Sequence, residues 1–327
     1  MRAICFFLIS LLIKLNCAAV HFKFDKTDTP VQVLAAYKKF HQKKCNPNLK
    51  CKKRPFILFR PVAGLGDSLQ ALEAALFATL KTGNMFFVDW TFYWPELTFD
   101  WYETHGLNYK LKNCDVIRKC EPMVEIEGHL TSKSWMHKLV KINELGNSQI
   151  NSNEWLRYFA KPSEKLNSEI NKYKPVHCDA SVVIRTGLGE YNEFLRAGDE
   201  DKFVECLKNL KNSDSSVKNV FLASDNEEIR EKVEKQLTSL GKTVFTIPDS
   251  IIHVSKVPSG SEEKILKTLA EFHIISSCDN HFLTQNSLFG QVASRLSSNQ
   301  NNVFRISHRW CDDKKRIGKS SYRAFRV

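Results

Sequence analysis

The sequence predicts an α/β fold of two Rossmann-like halves facing each other across a cleft, on three observations. Short apolar runs alternate with segments of helical apolar spacing along most of the chain. Each half opens with a strand followed by a glycine-containing turn. The 327 residues are 43% apolar with only 13 Gly and 10 Pro, which excludes disordered, collagen-like and low-complexity chains. At about 150 residues per domain the length fits two domains, each able to bury a core without depending on disulfides.

Arg2 precedes an apolar run from Ala3 to Ile13, and Lys14 ends it well short of the roughly 20 residues a membrane span needs. Cys17-Ala18-Ala19 then offers small residues at a cleavage point. Residues 1–19 therefore read as a signal peptide, with an uncleaved membrane anchor the lesser reading. This places the mature chain in the secretory lumen (ER or Golgi) or outside the cell. Removing Arg2 and Lys14 lowers the formal charge from +12 to +10 and leaves eight cysteines, at positions 45, 51, 114, 120, 178, 206, 278 and 311. An oxidising compartment predicts at least two disulfides, each within one half, since four cysteines precede residue 175 and four follow it. Spacing does not fix the connectivity. The absence of any C-x-x-C pair argues against a structural zinc knuckle, and no Asn-x-Ser/Thr acceptor occurs.

In the first half, Phe56-Ile57-Leu58-Phe59 reads as a strand. The turn Pro61-Val62-Ala63-Gly64-Leu65-Gly66-Asp67 follows, and Leu69, Leu72, Ala75, Leu76, Ala78 and Leu80 set a helix. Thr82-Gly83-Asn84 closes it before a second strand, Met85 to Val88, which completes a βαβ unit. Residues 91–150 are rich in aromatics without clear periodicity and read as irregular. Residues 152–173 read as a helix, and Lys174-Pro175 sets the boundary between domains 20–175 and 176–327.

The second half predicts strands at 181–184, 219–223, 243–246 and 281–284, and helices at 201–210, 227–240, 262–276 and 288–296. No repeat of 20 to 50 residues is present.

Four loops at strand ends carry the chemistry. Gly64-Leu65-Gly66-Asp67 sits where glycine permits close backbone approach and a helix N-terminus offers unpaired N–H groups to an anion. The plain alternative is a tight turn with Asp67 as N-cap. Leu69 stands where a dinucleotide fingerprint needs its third glycine, and no GxxxxGK[ST] exists. Arg185 leaves a strand before Gly187-Leu188-Gly189-Glu190, where an open α/β sheet binds ligands and a guanidinium can hold a diphosphate bidentately. Its alternative is a surface pair with Glu190 or Glu193. Ala223-Ser224-Asp225 and Asn286-Ser287-Leu288-Phe289-Gly290 end two further strands and converge with Arg185 if the sheet is parallel; singly, Asp225 and Ser287 are ordinary helix caps.

Asp199-Glu200-Asp201 has the look of a metal-diphosphate triplet but reads better as acidic residues at a helix N-terminus. From Arg305 to Arg326 eight cations face only Asp312 and Asp313. That segment is a solvated basic surface or a site for acidic glycans or headgroups. No nucleic-acid motif, HExxH or GxSxG is present.

The order of these motifs resembles the fucosyltransferase superfamily of α1,6-, nodulation and protein O-fucosyltransferases, over residues 55–300. Ala63-Gly64-Leu65-Gly66-Asp67-Ser68-Leu69-Gln70, with Phe86-Phe87-Val88-Asp89-Trp90 after it, is similar to the family's first motif. The strand at 182–185 is similar to the second, whose Arg contacts the donor diphosphate; Phe221 to Arg230 and Lys264 to Gly290 resemble the nucleotide-binding remainder. Two positions depart: Val183 stands where a His is usual two residues before the Arg, and the usual serine pair is reduced to Ser287 before Leu288.

The resemblance implies a GT-B architecture, a GDP-fucose site formed mainly by the C-terminal half, no bound metal or cofactor, and a glycan or glycoprotein acceptor. It implies an inverting glycosyltransferase in which Arg185 and helix N–H groups stabilise the departing GDP. Glu190, or after it Asp67, would take the acceptor proton. Gly64, Gly66, Asp225, Asn286, Ser287 and Phe289 complete the donor site. Two readings stay open beside it: a binding protein that keeps the pocket without turnover, and a basic glycan-binding protein acting through its C-terminal segment.

Overall fold

A computed structural model describes residues 32–33, 35–37, 39–40, 56–61, 64–82, 84–88, 124–128, 157, 161–186, 195, 198–209, 217–248, 262–285, 287–297, 302–307 and 311–313. These residues fall into two compact units. β1 (Phe56–Pro61), β2 (Met85–Val88), β3 (Val124–Gly128) and the greater part of α1 (Leu65–Thr82) belong to the first. The start of α1, through residue 71, and everything from residue 157 onward belong to the second.

In the first unit the sheet order is β2-β1-β3, with both pairings parallel. Phe56 to Phe59 and Met85 to Val88 are buried without alternation, as in a parallel strand covered on both faces. Phe56 meets Phe87 edge-on at 5.4 Å, and the buried Tyr37 hydroxyl donates to the Asn84 carbonyl at 2.9 Å. The expected βαβ unit is therefore present. β3 corrects the reading of residues 91–150 as irregular, for Val124 and Ile126 alternating with Glu125 and Glu127 carry a brief period of two. The remainder of that stretch lies outside the described residues.

The second unit begins earlier in the chain than residue 176. The helix expected over 152–173 is interrupted at Lys161 to Ser163, where Pro162 has no N–H to donate. Ser163 then caps α2 (Glu164–Tyr173) by accepting from the Leu166 N–H. α2 packs on α5 (Glu262–Ser276), burying Leu166 and Ile170 one turn apart, so Lys174-Pro175 marks only the connection into the next strand.

That strand is β4 (Ala180–Ile184). It is followed by α3 (Asp201–Lys208), β5 (Asn219–Ser224), α4 (Glu227–Ser239), β6 (Thr243–Phe245), α5, β7 (Asn280–Thr284), α6 (Leu288–Leu296), β8 (Val303–Ile306) and β9 (Cys311–Asp313). The sheet order is β6-β5-β4-β7-β8-β9, parallel through β8 and antiparallel only at β9. Strand order thus reverses between β4 and β7, the switch point of a Rossmann sheet.

Val182, Ile184, Val220, Leu222 and Phe282 share a core with Phe203 and Leu207 of α3 and Val233 and Leu237 of α4. α5 and α6 contact β5 and β7, and Val183 faces α6, where a methyl on Gly290 would lie 3.4 Å from its Cγ1. Two disulfides lie within this half, as expected. Cys178–Cys278 joins the residues that lead into β4 and β7, and Cys206–Cys311 joins α3 to β9, with Cα separations of 4.6 and 6.0 Å. The four cysteines of the first half lie outside the described residues. β8 and β9 are additions to the expected strands: the first residues of the basic segment belong to the sheet, and its residues beyond 313 are outside the described set.

Candidate functional site

The exits of β4, β5 and β7 meet at the switch point. Arg185, the first residue after β4, has its backbone N–H bound by the Thr284 hydroxyl at 2.8 Å, and the same hydroxyl donates to the Val183 carbonyl at 3.2 Å. Thr284 is 1% exposed, so one buried side chain fixes the backbone on either side of Ile184 from the neighbouring strand. Asp225 fixes the side beyond. Its Oδ1 accepts from the Thr186 N–H at 2.7 Å and from the Thr186 hydroxyl at 3.0 Å, and its Oδ2 lies 3.6 Å from Arg185 Nε.

Asp225 does not cap α4; Asn226 does, its side chain accepting from the Ile229 N–H at 3.2 Å. The reading of Asp225 as a helix cap is thereby corrected: the cap is one residue later, and the buried carboxylate instead orients Arg185. With that ion pair the guanidinium remains partly open, its side chain 30% exposed against 3% for Asp225.

Ser287 stands at the N-cap of α6, 8% exposed, yet makes no capping bond, and its Oγ has no hydrogen-bond partner among the described residues. A buried hydroxyl left unpaired costs about 1–3 kcal/mol, and in native proteins such groups call for an explanation. At a helix N-terminus, on the exit of the strand next to the one that Arg185 leaves, a bound anion would supply one.

The start of α1 reaches the same place. Its first i→i+4 bond runs from the Ser68 N–H to the Gly64 carbonyl at 2.9 Å, so the helix begins at Leu65. Asp67 is then a first-turn residue and not the N-cap. Gly66 packs on the backbone of Leu288 and Phe289, where an added Cβ would come within 2.5 Å of the Leu288 carbonyl carbon. Two helix N-termini, of α1 and α6, therefore adjoin within the second unit.

Of the residues singled out in the sequence, Gly64, Gly66, Asp67, Arg185, Asp225, Ser287 and Phe289 are described. Phe289 turns its ring onto Phe272 of α5, centroids 5.4 Å apart, which leaves only its backbone at the α6 N-terminus to meet a ligand. Glu190, Asn286 and the Gly187-Leu188-Gly189 turn lie outside the described residues. Thr186 and Thr284 were not anticipated, although a threonine ending or just following an apolar strand was the available signal.

The carboxylates of the acidic triplet are paired with cations and an amide. Asp199 binds Lys202 at 2.7 Å, Glu200 binds Lys232 at 2.7 Å, and Asp201 takes Lys232 at 3.0 Å and Gln236 at 2.8 Å. Lysine and glutamine contacts hold the Asp201 carboxyl below its ordinary range, with Gln236 the larger cause.

No protein-family model and no curated protein sequence matches the chain. Among solved structures, a mutant of FUT1 from Arabidopsis thaliana in complex with GDP aligns with 83% of this chain and 74% of its own, at a TM-score of 0.50 and 17% identity. The fucosyltransferase NodZ from Bradyrhizobium aligns with 80% of this chain and 99% of its own, at a TM-score of 0.50 and 14% identity. Identity at this level speaks for the course of the backbone and not for single side chains. With its parallel sheets and Rossmann strand order, the chain has the α/β fold of GT-B type that these structures share.

Proposed function

We propose that the chain is an inverting glycosyltransferase that moves fucose from GDP-fucose to a hydroxyl of a glycan or glycoprotein. The observation that carries the reading is the buried Ser287 Oγ at the N-terminus of α6, without a hydrogen-bond partner among the described residues, on the exit of the strand paired with the one that Arg185 leaves at the switch point of the sheet. A diphosphate matches all three groups at once: an oxygen for the Ser287 hydroxyl, the helix N–H groups for its charge, and the guanidinium fork for a second pair of oxygens. The fold shared with a GDP complex and with a fucosyltransferase supports the choice of donor.

As the glycosidic bond breaks, charge grows on the departing GDP, and Arg185 together with the α6 N-terminus stabilises it more than the bound donor. These groups supply the positive charge within the chain, so the reading requires no metal and no cofactor. Glu190, or Asp67 in the first turn of α1, takes the acceptor proton. The disulfides Cys178–Cys278 and Cys206–Cys311 support an oxidising lumen or the exterior as the place of action. Among the described residues no helix is long and apolar enough to cross a membrane.

The test is transfer and donor binding by the purified chain with GDP-fucose, GDP-mannose and UDP sugars. GDP-fucose should raise the melting temperature most and be consumed with acceptor. Arg185→Lys should lower kcat on the order of 100-fold, more than it weakens donor binding, because an ammonium cannot replace the fork. A parent that binds GDP without transferring sugar would instead make this a binding protein, a reading favoured by Val183, which is buried against Gly290 where the family has a histidine.

A further inference from the structure

The start edge of the C-terminal sheet, at the far end of the strands from Arg185 and Ser287, brings together His177, Asp179 and Asp279. Residues 177–179 lead into β4 and Asp279 leads into β7. The Cys178–Cys278 disulfide ties the two segments, and backbone bonds from Asp279 N–H to the Cys178 carbonyl and from Asn280 N–H to the Asp179 carbonyl, both 3.1 Å, set their register. His177 Nε2 lies 2.9 Å from Asp179 Oδ1 and 3.3 Å from Asp279 Oδ2, and the three atoms all fall within 4.8 Å of one another. The other oxygen of Asp179, Oδ2, accepts from the backbone N–H groups of Lys218 and Asn219 at 2.8 and 2.7 Å.

We propose that His177, Asp179 and Asp279 form a three-ligand site for a divalent cation, with zinc the preferred ion. Two carboxylates converge on one ring nitrogen, and a neutral imidazole has at most one N–H there to offer them. A dication accepts a lone pair from all three and neutralises both carboxylates. Zinc bonds of about 2.0–2.2 Å in a tetrahedron hold ligand atoms roughly 3.3 Å apart, close to the two spacings from His177 Nε2, and the two carboxylates lie within 4.8 Å of each other. A carboxylate whose outer oxygen is held by backbone N–H groups is the supporting contact that orients a metal ligand, and Asp179 has two such bonds. One imidazole with two carboxylates suits zinc better than calcium, which takes six to eight oxygens. The fourth position opens to water, since the His177 and Asp279 side chains are 63% and 46% exposed. The site uses no cysteine and involves neither the acidic triplet nor the GDP reading.

The test is a titration of the full mature chain, first freed of metal with a chelator, using zinc and then cobalt(II) as a spectroscopic substitute. The parent should bind one equivalent that His177→Ala and Asp279→Asn do not. Its melting temperature should rise until that equivalent is filled, and cobalt should give the visible bands of a low-coordinate site. Both substitutions fall on exposed side chains, and retention of the parent's circular dichroism confirms that the variants are folded. A parent that takes up neither ion at this stoichiometry, or variants that take up zinc as the parent does, would overturn the proposal.

Discussion

Gly66→Ala should destabilise the C-terminal unit by about 1–2 kcal/mol, whereas Gly290→Ala should change it by no more than about 0.5 kcal/mol, although both glycines lie in helices. On propensity alone each exchange gains about 1 kcal/mol. What separates them is what the new methyl meets. At Gly66 it would lie 2.5 Å from the Leu288 carbonyl carbon, 2.6 Å from the Phe289 nitrogen and 2.7 Å from the Leu288 oxygen. All three are backbone atoms, so no side-chain rotation relieves the contact. Restoring about 3.5 Å requires α1 to shift by roughly 1 Å against α6. Overpacking of this kind costs about 1–3 kcal/mol, and a shift that large belongs at the upper end, which outweighs the propensity gain. At Gly290 the nearest atoms are the Leu283 Cδ2 at 3.0 Å and the Val183 Cγ1 at 3.4 Å, methyl groups that yield by a few tenths of an ångström. Urea unfolding followed by circular dichroism measures both, with a melting shift of about 2–4 °C per kcal/mol for a unit of this size. If Gly66→Ala were as stable as the parent, or Gly290→Ala the more damaging exchange, the close approach of α1 to α6 would be wrong.

Ser287→Ala should leave stability unchanged or slightly raised, since it removes a buried hydroxyl with no partner among the described residues, while GDP affinity measured by calorimetry falls roughly tenfold; equal affinity would remove Ser287 from the site. Replacing Cys178 and Cys278 together by Ser should cost up to about 4–5 kcal/mol in denaturant unfolding, because the bridge closes a loop of 100 residues. A loss below 1 kcal/mol would show that the unfolded chain is not held by it. His273, buried in α5, has its pKa lowered by desolvation to about 4. Between about pH 6.5 and 4 the unfolded chain therefore binds the proton that the folded one refuses, so stability falls as the pH drops through this window, by roughly 3 kcal/mol in all. His273→Gln should flatten that part of the profile, and an unaltered slope would refute the assignment.

The strands and helices from β4 to α6 were legible because each is a short run whose apolar period is unambiguous and whose ends are marked: Asp225-Asn226 before α4, Gly241 after it, Ser287 before α6. β3 was obscured because a period of two over Val124 to Glu127 is too brief to stand out beside a stretch of aromatics. β8 and β9 were obscured because their charge, at Arg305, Asp312 and Asp313, pointed to solvent. At the site, residue type and strand end located Arg185, but which of Asp225 and Asn226 would cap α4 depends on where the helix begins, and boundaries shift by a residue or two at no cost in pattern. The bonds of Thr284 and the contact of Gly66 with Leu288 are consequences of packing between segments far apart in the chain. So is the meeting of His177 with Asp279, for only the parallel pairing of β4 with β7 makes them neighbours.

β4 and β7, whose exits carry Arg185 and lead to Ser287, are cross-linked just before they begin. Each has only five residues, and the bridge acts as a fulcrum at one end of this short pair while Arg185 and the Thr284 hydroxyl sit at the other. Sliding one strand past the other is opposed on two counts, since a step of one residue would carry the side chains packed on α6, Val183 and Leu283, to the α3–α4 face and would have to drag the bridge with it. Widening the gap at the exits would break the Thr284 bonds to Arg185 and Val183 before anything else gave way. The two strands therefore hold Arg185 and Thr284 at a fixed spacing, as a jamb and not as a moving door.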